Sequence, residues 1–288
     1  MIAVKLMGGL GNQMFQYATA KQLAKLRNTD VLIDGDWFNN QASIDTPRAY
    51  ELNLLKINAK FKKNHVRSSN NLWTYKNKFL NNFSTVFNEY QEASFNYNDS
   101  VLKLPDKTFL SGYFQTEKYF LGVRNELLLE FVPGYTLNDN VNNYLNKIRE
   151  SLNSVSLHIR RGDYIKNENA SKFHGAKGVE YYNLAVKKMV DILNCEVDLF
   201  IFSDDIDWCK SNLKFDLPTN YIDCAKVSFD DMWLMSHCRH NIIANSSFSW
   251  WGAWLNNNHG KNVIAPMKWF NDTSVNTNDI LPKTWIKL

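Results

Sequence analysis

The chain has 288 residues, of which 44% are hydrophobic and 22% are charged. This length suits one large or two ordinary domains, and this apolar content excludes wholesale disorder. The formal net charge is +4, whereas a nucleic-acid-binding protein would usually carry a stronger and clustered positive excess, so we expect no nucleic-acid partner.

The cysteines and the apolar stretches indicate the compartment. Four cysteines are too few for a disulfide framework in a chain of this size, so we expect reduced and mostly buried thiols. No apolar stretch reaches the roughly 18 residues of a membrane span. The N-terminal sequence also lacks the basic start and cleavage site of a secretory signal. We therefore expect a cytoplasmic protein, and leave open a peripheral contact with the inner face of the membrane.

The first half begins with the pattern of a β–loop–α–β unit. Residues 2–7 predict an apolar strand, residues 13–26 a helix and residues 31–34 a second strand. Residues 38–105 are rich in Asn, Lys and aromatic side chains, and predict irregular helical and loop structure facing a substrate. A further strand is predicted at 109–114 and a helix at 138–152.

The alternation of strands and helices restarts after Asn153. Strands are predicted at 155–161, 198–205, 220–223, 240–244 and 262–265, with helices at 181–193, 206–213, 230–237 and 248–255. Such alternation indicates a parallel sheet with helices on both faces. The predicted fold class is α/β, with two Rossmann-like doubly wound domains at 1–150 and 151–288.

The glycine-rich loop GGLGNQ, residues 8–13, lies between a predicted strand and a predicted helix. Glycine lets the backbone approach an anion, and a helix N-terminus offers N–H groups to it. The loop is not a dinucleotide fingerprint, because Met14 holds the place of the third glycine. It also lacks the Gly-Lys-Ser/Thr of a Walker loop. It therefore indicates either an anion site or a tight strand–helix turn.

The sequence HIRRGDY, residues 158–164, closes a predicted strand. Side-chain alternation places His158 and Arg160 on the same side of that strand. Ligands of open α/β sheets bind at the carboxyl ends of strands, and a guanidinium there suits a diphosphate. The alternative is a structural Arg–Asp pair that involves Asp163.

Two groups of acidic residues are candidate metal ligands. Asp204, Asp205 and Asp207 lie at the end of FSDD and just after it, and Asp34 and Asp36 flank a glycine. Carboxylate clusters bind divalent cations, but Asp is also a preferred residue for capping a helix. A three-residue Asp-x-Asp pattern is weak on its own because it recurs by chance.

The sequence NSSFSWWGAW, residues 245–254, follows a predicted strand. Its first three residues can cap a helix or offer hydroxyl and N–H groups to a phosphate. Its tryptophans predict core packing rather than stacking on a ligand. Asp231 opens the preceding helix, where it can accept hydrogen bonds from guanine N1–H and N2–H, or only interact with the helix dipole.

Four motifs in this order resemble the bacterial α-1,2-fucosyltransferases, the family that includes the blood-group H enzymes. They are GGLGNQMFQYA at 8–18, HIRRGDY at 158–164, FSDD at 202–205 and NSSFSWWGAWL at 245–255. The resemblance implies a GT-B-like fold with a cleft between the domains, and inverting transfer from GDP-β-L-fucose. It implies a galactose-terminated glycan as acceptor, no cofactor and no obligatory metal. Residues 38–105 match no motif, so the acceptor itself is not predicted.

The resemblance also implies roles for single residues. Arg160 would hold the β-phosphate and stabilise the leaving GDP. Apart from the resemblance, Asp163 is the first candidate for the general base and Glu168, beyond the same turn, the second, although a strongly dissociative transition state would need no base. The remaining donor-binding residues would be Gly9, Gly11, Asn12, His158, Asp204, Asp231, Asn245, Ser246 and Ser247.

Two alternatives to this function remain, namely another GDP-sugar transferase and a non-catalytic protein that binds a nucleotide or a glycan. A separate feature is the interleaving of basic and aromatic residues between positions 60 and 79. It predicts either a solvated helix face or a docking surface for a lipid-linked glycan at an anionic membrane.

Overall fold

The computed structural model describes residues 1–39, 41, 47–62, 86–162, 175–272 and 274–288. These residues form two compact units, each described here by itself. The first unit is Met1–Val132 with Asn278–Ile280, and the second is Pro133–Thr277 with Leu281–Leu288.

The division after Val132 differs from the sequence-based boundary at residue 150. The helix Asp139–Glu150, predicted to end the first domain, belongs to the second unit because its buried face, Val141, Leu145 and Ile148, packs against the helix Ser228–His237.

The described part of the first unit contains a five-stranded sheet in which every pair is parallel, in the order β3-β2-β1-β5-β4. Its strands are β1 (Ile2–Lys5), β2 (Val31–Asp34), β3 (Lys60–Phe61), β4 (Asn88–Gln91) and β5 (Thr108–Ser111). The helices are α1 (Leu10–Leu26) and α2 (Arg124–Glu130), with short 3-10 turns between the other elements. Helix α1 is buried on nearly every face, which is why its sequence shows little amphipathic pattern.

The second unit carries a six-stranded sheet, again parallel throughout, in the order β11-β10-β9-β6-β7-β8. Its strands are β6 (Ser154–Ile159), β7 (Asp198–Ser203), β8 (Thr219–Tyr221), β9 (His240–Ile242), β10 (Val263–Ala265) and β11 (Ile286–Lys287). Among the residues that the structure describes, its helices are α3 (Asp139–Glu150), α4 (Val179–Leu193), α5 (Ile206–Asn212), α6 (Ser228–His237) and α7 (Ser247–Leu255).

The core of the second unit lies around β6, in which every residue is buried. Trp250, Trp251 and Trp254 of α7 are also buried and contact one another, so the prediction that the tryptophans pack in the core is confirmed. The α/β fold class with two parallel sheets is confirmed as well. Because all strands of a parallel sheet point the same way, the chain leaves β6, β7 and β9 at one common edge. Among the described residues, no helix has the length and apolar content to cross a membrane.

Candidate active site

An ion pair between Arg160 and Asp204 lies at the carboxyl edge of the second sheet. Arg160 directly follows β6, and Asp204 directly follows the neighbouring strand β7. The Nη1 atom of Arg160 is 3.0 Å from Oδ2 of Asp204, with about a quarter of each side chain exposed. The pair therefore fixes the orientation of a cation at the edge where ligands of such sheets bind.

Asp204 also holds the chain that follows Arg160. Its Oδ1 atom accepts a hydrogen bond from the backbone N–H of Arg161 at 2.9 Å. A Cβ atom on Gly162 would lie 2.8 Å from Asp204 Oδ2, so the glycine of the HIRRGDY sequence allows the carboxylate to come this close. One carboxylate thus joins two motifs that stand far apart in the sequence.

Arg161 has a different environment from Arg160. Its guanidinium carbon lies 3.7 Å from the centroid of the Trp208 ring, and its Nε atom lies 3.6 Å from Oδ2 of Asp205. Asp205 caps α5 by accepting a hydrogen bond from the backbone N–H of Trp208 at 3.2 Å. The capping alternative for the second acidic residue of FSDD is therefore confirmed.

His158 is a buried and neutral imidazole on β6. Only 4% of the residue is exposed, and its Nδ1 atom has no hydrogen-bond partner among the described residues. Burial, together with the positive charge of Arg160, holds the pKa of His158 well below its ordinary value. Its ring centroid lies 5.6 Å from that of Phe248 at the start of α7. A neutral imidazole of this kind offers one donor and one acceptor to a ligand.

The sequence after β9 supplies a capped helix start. Ser246 is the N-cap of α7, and its Oγ atom accepts a hydrogen bond from the backbone N–H of Phe248 at 3.3 Å. Ser247 is the first residue of the helix. Asn245 is 1% exposed, and its Nδ2 atom donates to the backbone oxygens of Gly175 at 3.1 Å and Trp269 at 3.0 Å. Asn245 therefore anchors neighbouring backbone.

Asp230 and Asp231 lie in the first turn of α6 but differ in their partners. Asp230 accepts hydrogen bonds from the Tyr135 hydroxyl at 2.7 Å and from the backbone N–H of Lys226 at 2.9 Å. Asp231 Oδ1 is shielded from solvent and has no partner among the described residues. Burial raises the pKa of Asp231 to about 7, and the charges of Asp230 and Asp223 add to this effect.

The glycine-rich loop lies at the carboxyl end of β1 in the first unit. Gly8 has a φ of +77°, a conformation that favours glycine, and Gly9 is the N-cap of α1. Gly11 is buried inside the helix. The side chain of Asn12 accepts a hydrogen bond through Oδ1 from Nε2 of Gln115 at 2.7 Å. The loop is therefore a tight strand–helix turn. The Gln115 side chain, from the segment after β5, stabilises this turn through Asn12.

Gln115 follows a turn that Glu92 stabilises. The Glu92 carboxylate accepts hydrogen bonds from the backbone N–H groups of Tyr113 at 2.6 Å and Phe114 at 3.0 Å. Burial raises the pKa of Glu92, although these hydrogen bonds oppose the effect. A Cβ atom on Gly112 would lie 2.3 Å from the Glu92 side chain, so a side chain there would displace the carboxylate.

The Asp34–Gly35–Asp36 sequence holds a lysine. The Nζ atom of Lys62 lies 2.9 Å from Oδ2 of Asp34 and 2.8 Å from Oδ2 of Asp36. Only 5% of the Lys62 side chain is exposed, so a buried ammonium occupies the position between the two carboxylates. This arrangement argues against a cation site at this pair.

Some predicted residues lie outside the described part of the chain. Asp163 and Glu168, the two candidates for the general base, fall there, as does most of the basic and aromatic cluster between residues 60 and 79. Of that cluster, Lys60 pairs with Asp30, and Lys62 pairs with Asp34 and Asp36.

Within the second unit, the structure brings most of the predicted residues to one edge of one sheet. They follow β6, β7 and β9, and Asp231 opens the helix that follows β8. Sequence reasoning missed residues that brace the turns, namely Gln13, Gln16, Glu92 and Gln115. Gln13 donates to the backbone oxygens of Gly8 and Ala49, and Gln16 accepts from the backbone N–H of Met7. The signal for these two residues was their position beside the apolar side chains of Met14, Phe15 and Tyr17.

Comparison with known proteins now decides the family. The family model described as glycosyl transferase family 11 matches residues 1–288. The chain belongs to glycosyl transferase family 11. The chain is 36% identical to the O-antigen biosynthesis glycosyltransferase WbnK of Escherichia coli, over 98% of this chain and 99% of the relative. It is also 36% identical to an α-1,2-colitosyltransferase of Escherichia coli, over 100% and 98%.

A more distant relative is the galactoside α-(1,2)-fucosyltransferase 2 of Hylobates lar, which is 24% identical over 88% of this chain and 69% of the relative. Among solved structures, Arabidopsis thaliana FUT1 in complex with GDP has a TM-score of 0.50 and 10% identity, over 91% of this chain and 69% of that chain. POFUT1 in complex with GDP-fucose has a TM-score of 0.50 and 11% identity, over 91% and 97%. These similarities confirm that this family 11 transferase has the predicted GT-B-like fold.

Proposed function

We propose that this family 11 transferase moves L-fucose from GDP-β-L-fucose to the 2-hydroxyl of a terminal galactose, with inversion to an α-1,2 linkage. The observation that carries the proposal is the ion pair at the carboxyl edge of the second sheet. There Asp204 orients the Arg160 guanidinium at 3.0 Å. A fixed guanidinium suits the diphosphate of a nucleotide sugar. Relatives named for α-1,2 transfer support the linkage.

In the proposed reaction, the acceptor oxygen attacks the anomeric carbon from the face opposite to GDP. The bond between that carbon and the β-phosphate oxygen breaks, and its electron pair leaves with GDP. Negative charge grows on the phosphate, so Arg160 stabilises the transition state more than the ground state. The proton of the acceptor hydroxyl passes to a carboxylate, for which Asp163 is the first candidate and Glu168 the second.

The other proposed contacts divide between the two ends of the donor. Ser246 and Ser247 would offer hydroxyl and N–H groups to the diphosphate. His158 would add a neutral hydrogen-bonding group, since its pKa is held low by burial and by Arg160. At the base, Asp231 would accept from guanine N1–H and N2–H, because its Oδ1 atom is shielded and has no partner among the described residues.

A second donor is favoured by a named relative. The chain is 36% identical over its whole length to an α-1,2-colitosyltransferase, and a colitosyl group is a fucosyl group without the 3-hydroxyl. The two donors therefore differ only by one hydrogen-bonding group on the sugar. A site that binds this hydroxyl would reject the deoxy donor strongly, because its buried polar partners would be left unpaired.

The test is a donor screen with the purified protein. GDP-fucose, GDP-colitose, GDP-mannose and UDP-galactose are offered with lactose or N-acetyllactosamine, with released nucleotide measured and linkage read by NMR. We expect GDP release with GDP-fucose and an α-1,2 product. Preference for GDP-colitose would identify colitose as the transferred sugar. Preference for GDP-mannose would indicate another GDP-sugar transferase. Nucleotide binding without release would indicate a non-catalytic protein.

A further inference from the structure

A short turn connects β9 to the start of α7, where the diphosphate is proposed to bind. The ladder of the sheet ends with the bond from the Ile243 N–H to the Ile264 oxygen at 2.9 Å. The Ser246 N–H then donates to the Ala244 oxygen at 2.8 Å, which closes a three-residue turn around Asn245. The position of the helix start therefore depends on the contacts that hold this turn.

The side chain of Asn245 ties this turn to two other segments of the second unit. Its Nδ2 atom donates to the backbone oxygen of Gly175 at 3.1 Å and to that of Trp269 at 3.0 Å. An amide nitrogen carries two hydrogens, so both are used in these bonds. The amide oxygen has no hydrogen to donate to a phosphate, and the residue is only 1% exposed. Asn245 therefore makes no hydrogen bond to the diphosphate itself.

Gly175 accepts from Asn245 in a conformation that favours glycine. Its φ is +66°, and a Cβ atom there would lie 2.2 Å from Nδ2 of Asn271. An alanine in this conformation would be strained and would collide with Asn271, so the backbone oxygen that accepts from Asn245 would shift. The contact can therefore be weakened from its acceptor side without any change to Asn245.

The start of α7 lies next to a buried group that lacks a partner. Phe248 is the second residue of the helix, and its ring centroid lies 5.6 Å from that of His158. His158 is 4% exposed, and its Nδ1 atom has no hydrogen-bond partner among the described residues. Its strand β6 adjoins β9 and is followed by Arg160. Buried polar groups are nearly always hydrogen-bonded, so a ligand bound at this edge would supply the missing partner.

We infer that Asn245 is a positioning residue, which fixes the start of α7 and acts through Ser246 and Ser247 on the diphosphate of the nucleotide sugar. Ser246 caps the helix by accepting from the Phe248 N–H at 3.3 Å, so a shift of the turn would move this hydroxyl and the first N–H groups of the helix together. All of these residues belong to the second unit, as does Arg160. The action on the diphosphate rests on the proposed function, whereas the fixing of the turn rests on the hydrogen bonds alone.

The test compares three variants of the purified protein. Asn245→Leu removes the amide and keeps the approximate size, and Gly175→Ala disturbs the acceptor of its hydrogen bond. Asn256→Leu is the matched control, because Asn256 is a buried asparagine at the other end of α7. Its Nδ2 atom also donates to a backbone oxygen, that of Cys238 at 2.8 Å. Thermal unfolding measures the stability that each variant loses, and binding is compared at a temperature where all of them are folded.

Hydrogen exchange of the Ser246 and Phe248 amides is measured first, because it needs no substrate. We expect about tenfold faster exchange in Asn245→Leu and in Gly175→Ala, and unchanged exchange at these two amides in Asn256→Leu. The affinities for GDP and for guanosine are then measured by titration. GDP should bind about tenfold more weakly to the first two variants, because misplaced N–H groups lose part of their hydrogen bonds to the phosphates. Guanosine has no phosphate, so its affinity should not change.

Unchanged exchange in Asn245→Leu would overturn the fixing of the turn. Faster exchange with an unchanged GDP affinity would overturn the action on the diphosphate. An equal loss of GDP and guanosine affinity, or an equal loss of GDP affinity in Asn256→Leu, would show a merely structural role and would also overturn the inference. The donor screen with the wild-type protein decides the proposed function separately, because the exchange measurements do not depend on turnover.

Discussion

At the scale of single residues, the Asp204 carboxylate in the second unit binds two groups, a guanidinium and a backbone N–H. Asp204 binds the Arg160 guanidinium at 3.0 Å and the Arg161 backbone N–H at 2.9 Å. Removal of Arg160 would leave Asp204 without its cation, at the edge where the diphosphate is proposed to bind. The pair therefore has to be tested with substitutions that separate charge from shape.

We predict that Arg160→Ala lowers kcat/KM at least several tens-fold, because removing one partner of a desolvated charge contact typically costs about 2–5 kcal/mol. Arg160→Lys should restore little, since a point charge does not reproduce the planar fork of donors. Steady-state kinetics with GDP-fucose measure the effect. Arg239→Ala is the matched control, because Arg239 is an exposed arginine of the same unit. Near-normal turnover by folded Arg160→Ala would rule out the diphosphate role.

Asp231 should make nucleotide binding depend on pH. Its pKa is raised to about 7 by burial and by the charges of Asp230 and Asp223, and only the carboxylate accepts both guanine donors. GDP affinity should therefore fall about tenfold between pH 8 and pH 6 as the group takes up a proton. His158 does not contribute in this range, because its lowered pKa keeps it neutral. Calorimetric titration at the two pH values measures the change.

Asp231→Asn is the control for that measurement. The phosphate of GDP titrates in the same range, but it does so equally with both proteins, so the ratio of their affinities isolates Asp231. The stability of the fold depends on pH in the opposite direction from GDP affinity. A folded pKa above the unfolded value of 3.8 means that stability falls as pH rises toward 7. Asp231→Asn should thus unfold at a higher temperature than wild type at pH 8 and differ less at pH 5. If the ratio of the two GDP affinities does not change between pH 8 and pH 6, Asp231 does not bind guanine.

At the scale of elements, the start of α7 carries two functions that one substitution can separate. Ser246 caps the helix by accepting from the Phe248 N–H at 3.3 Å, and it is proposed to face the diphosphate. We predict that Ser246→Ala lowers stability by about 0.5–2 kcal/mol through the lost cap. Ser246→Asp should keep the cap and the unfolding temperature, but should lose transfer because a carboxylate repels the diphosphate. Normal sugar transfer by Ser246→Asp would show that the diphosphate does not bind next to Ser246.

Most strands and helices of the second unit could be predicted from the sequence because β6, β7 and β9 lie in short apolar stretches that end in a polar motif. The two-residue strand β11 was not predicted. The predicted helix at 181–193 corresponds to α4, and the predicted strand at 198–205 to β7. The motifs at the strand ends then meet at one edge, which the parallel order requires. Arg160 and Asp204 could be expected near each other on that ground alone.

Other parts of the molecule could not be predicted because their signals are not local. Strands β3 and β4 are short and mostly exposed, so they show no apolar pattern. The bonds of Gln13 and Gln16 go to backbone groups that any residue carries, and a sequence does not show backbone partners. Asp204 also accepts a hydrogen bond from the Arg161 N–H. This close approach depends on the absence of a side chain at Gly162, which is a contact between distant residues and leaves no local signal.

At the scale of the whole molecule, the acidic pairs that suggested metal binding are engaged with protein groups in both units. In the first unit, the buried Lys62 ammonium binds Asp34 and Asp36. In the second, Asp204 binds Arg160 and Asp205 caps α5. In the second unit, the positive charge of Arg160 would supply part of the potential that a metal ion could supply to the proposed diphosphate.

We therefore predict that sugar transfer continues in millimolar EDTA at close to its rate in buffer alone. A divalent cation at Asp34 and Asp36 would have to displace the Lys62 ammonium, which is 5% exposed and lies within 2.9 Å of both carboxylates. At Asp204 it would compete with Arg160. Turnover is measured before and after chelation, and again after Mg²⁺ or Mn²⁺ is added back. Loss of turnover on chelation and its recovery with metal would contradict the prediction. In that case Asp36→Asn and Asp205→Asn, compared under the same conditions, would identify the pair that binds the cation.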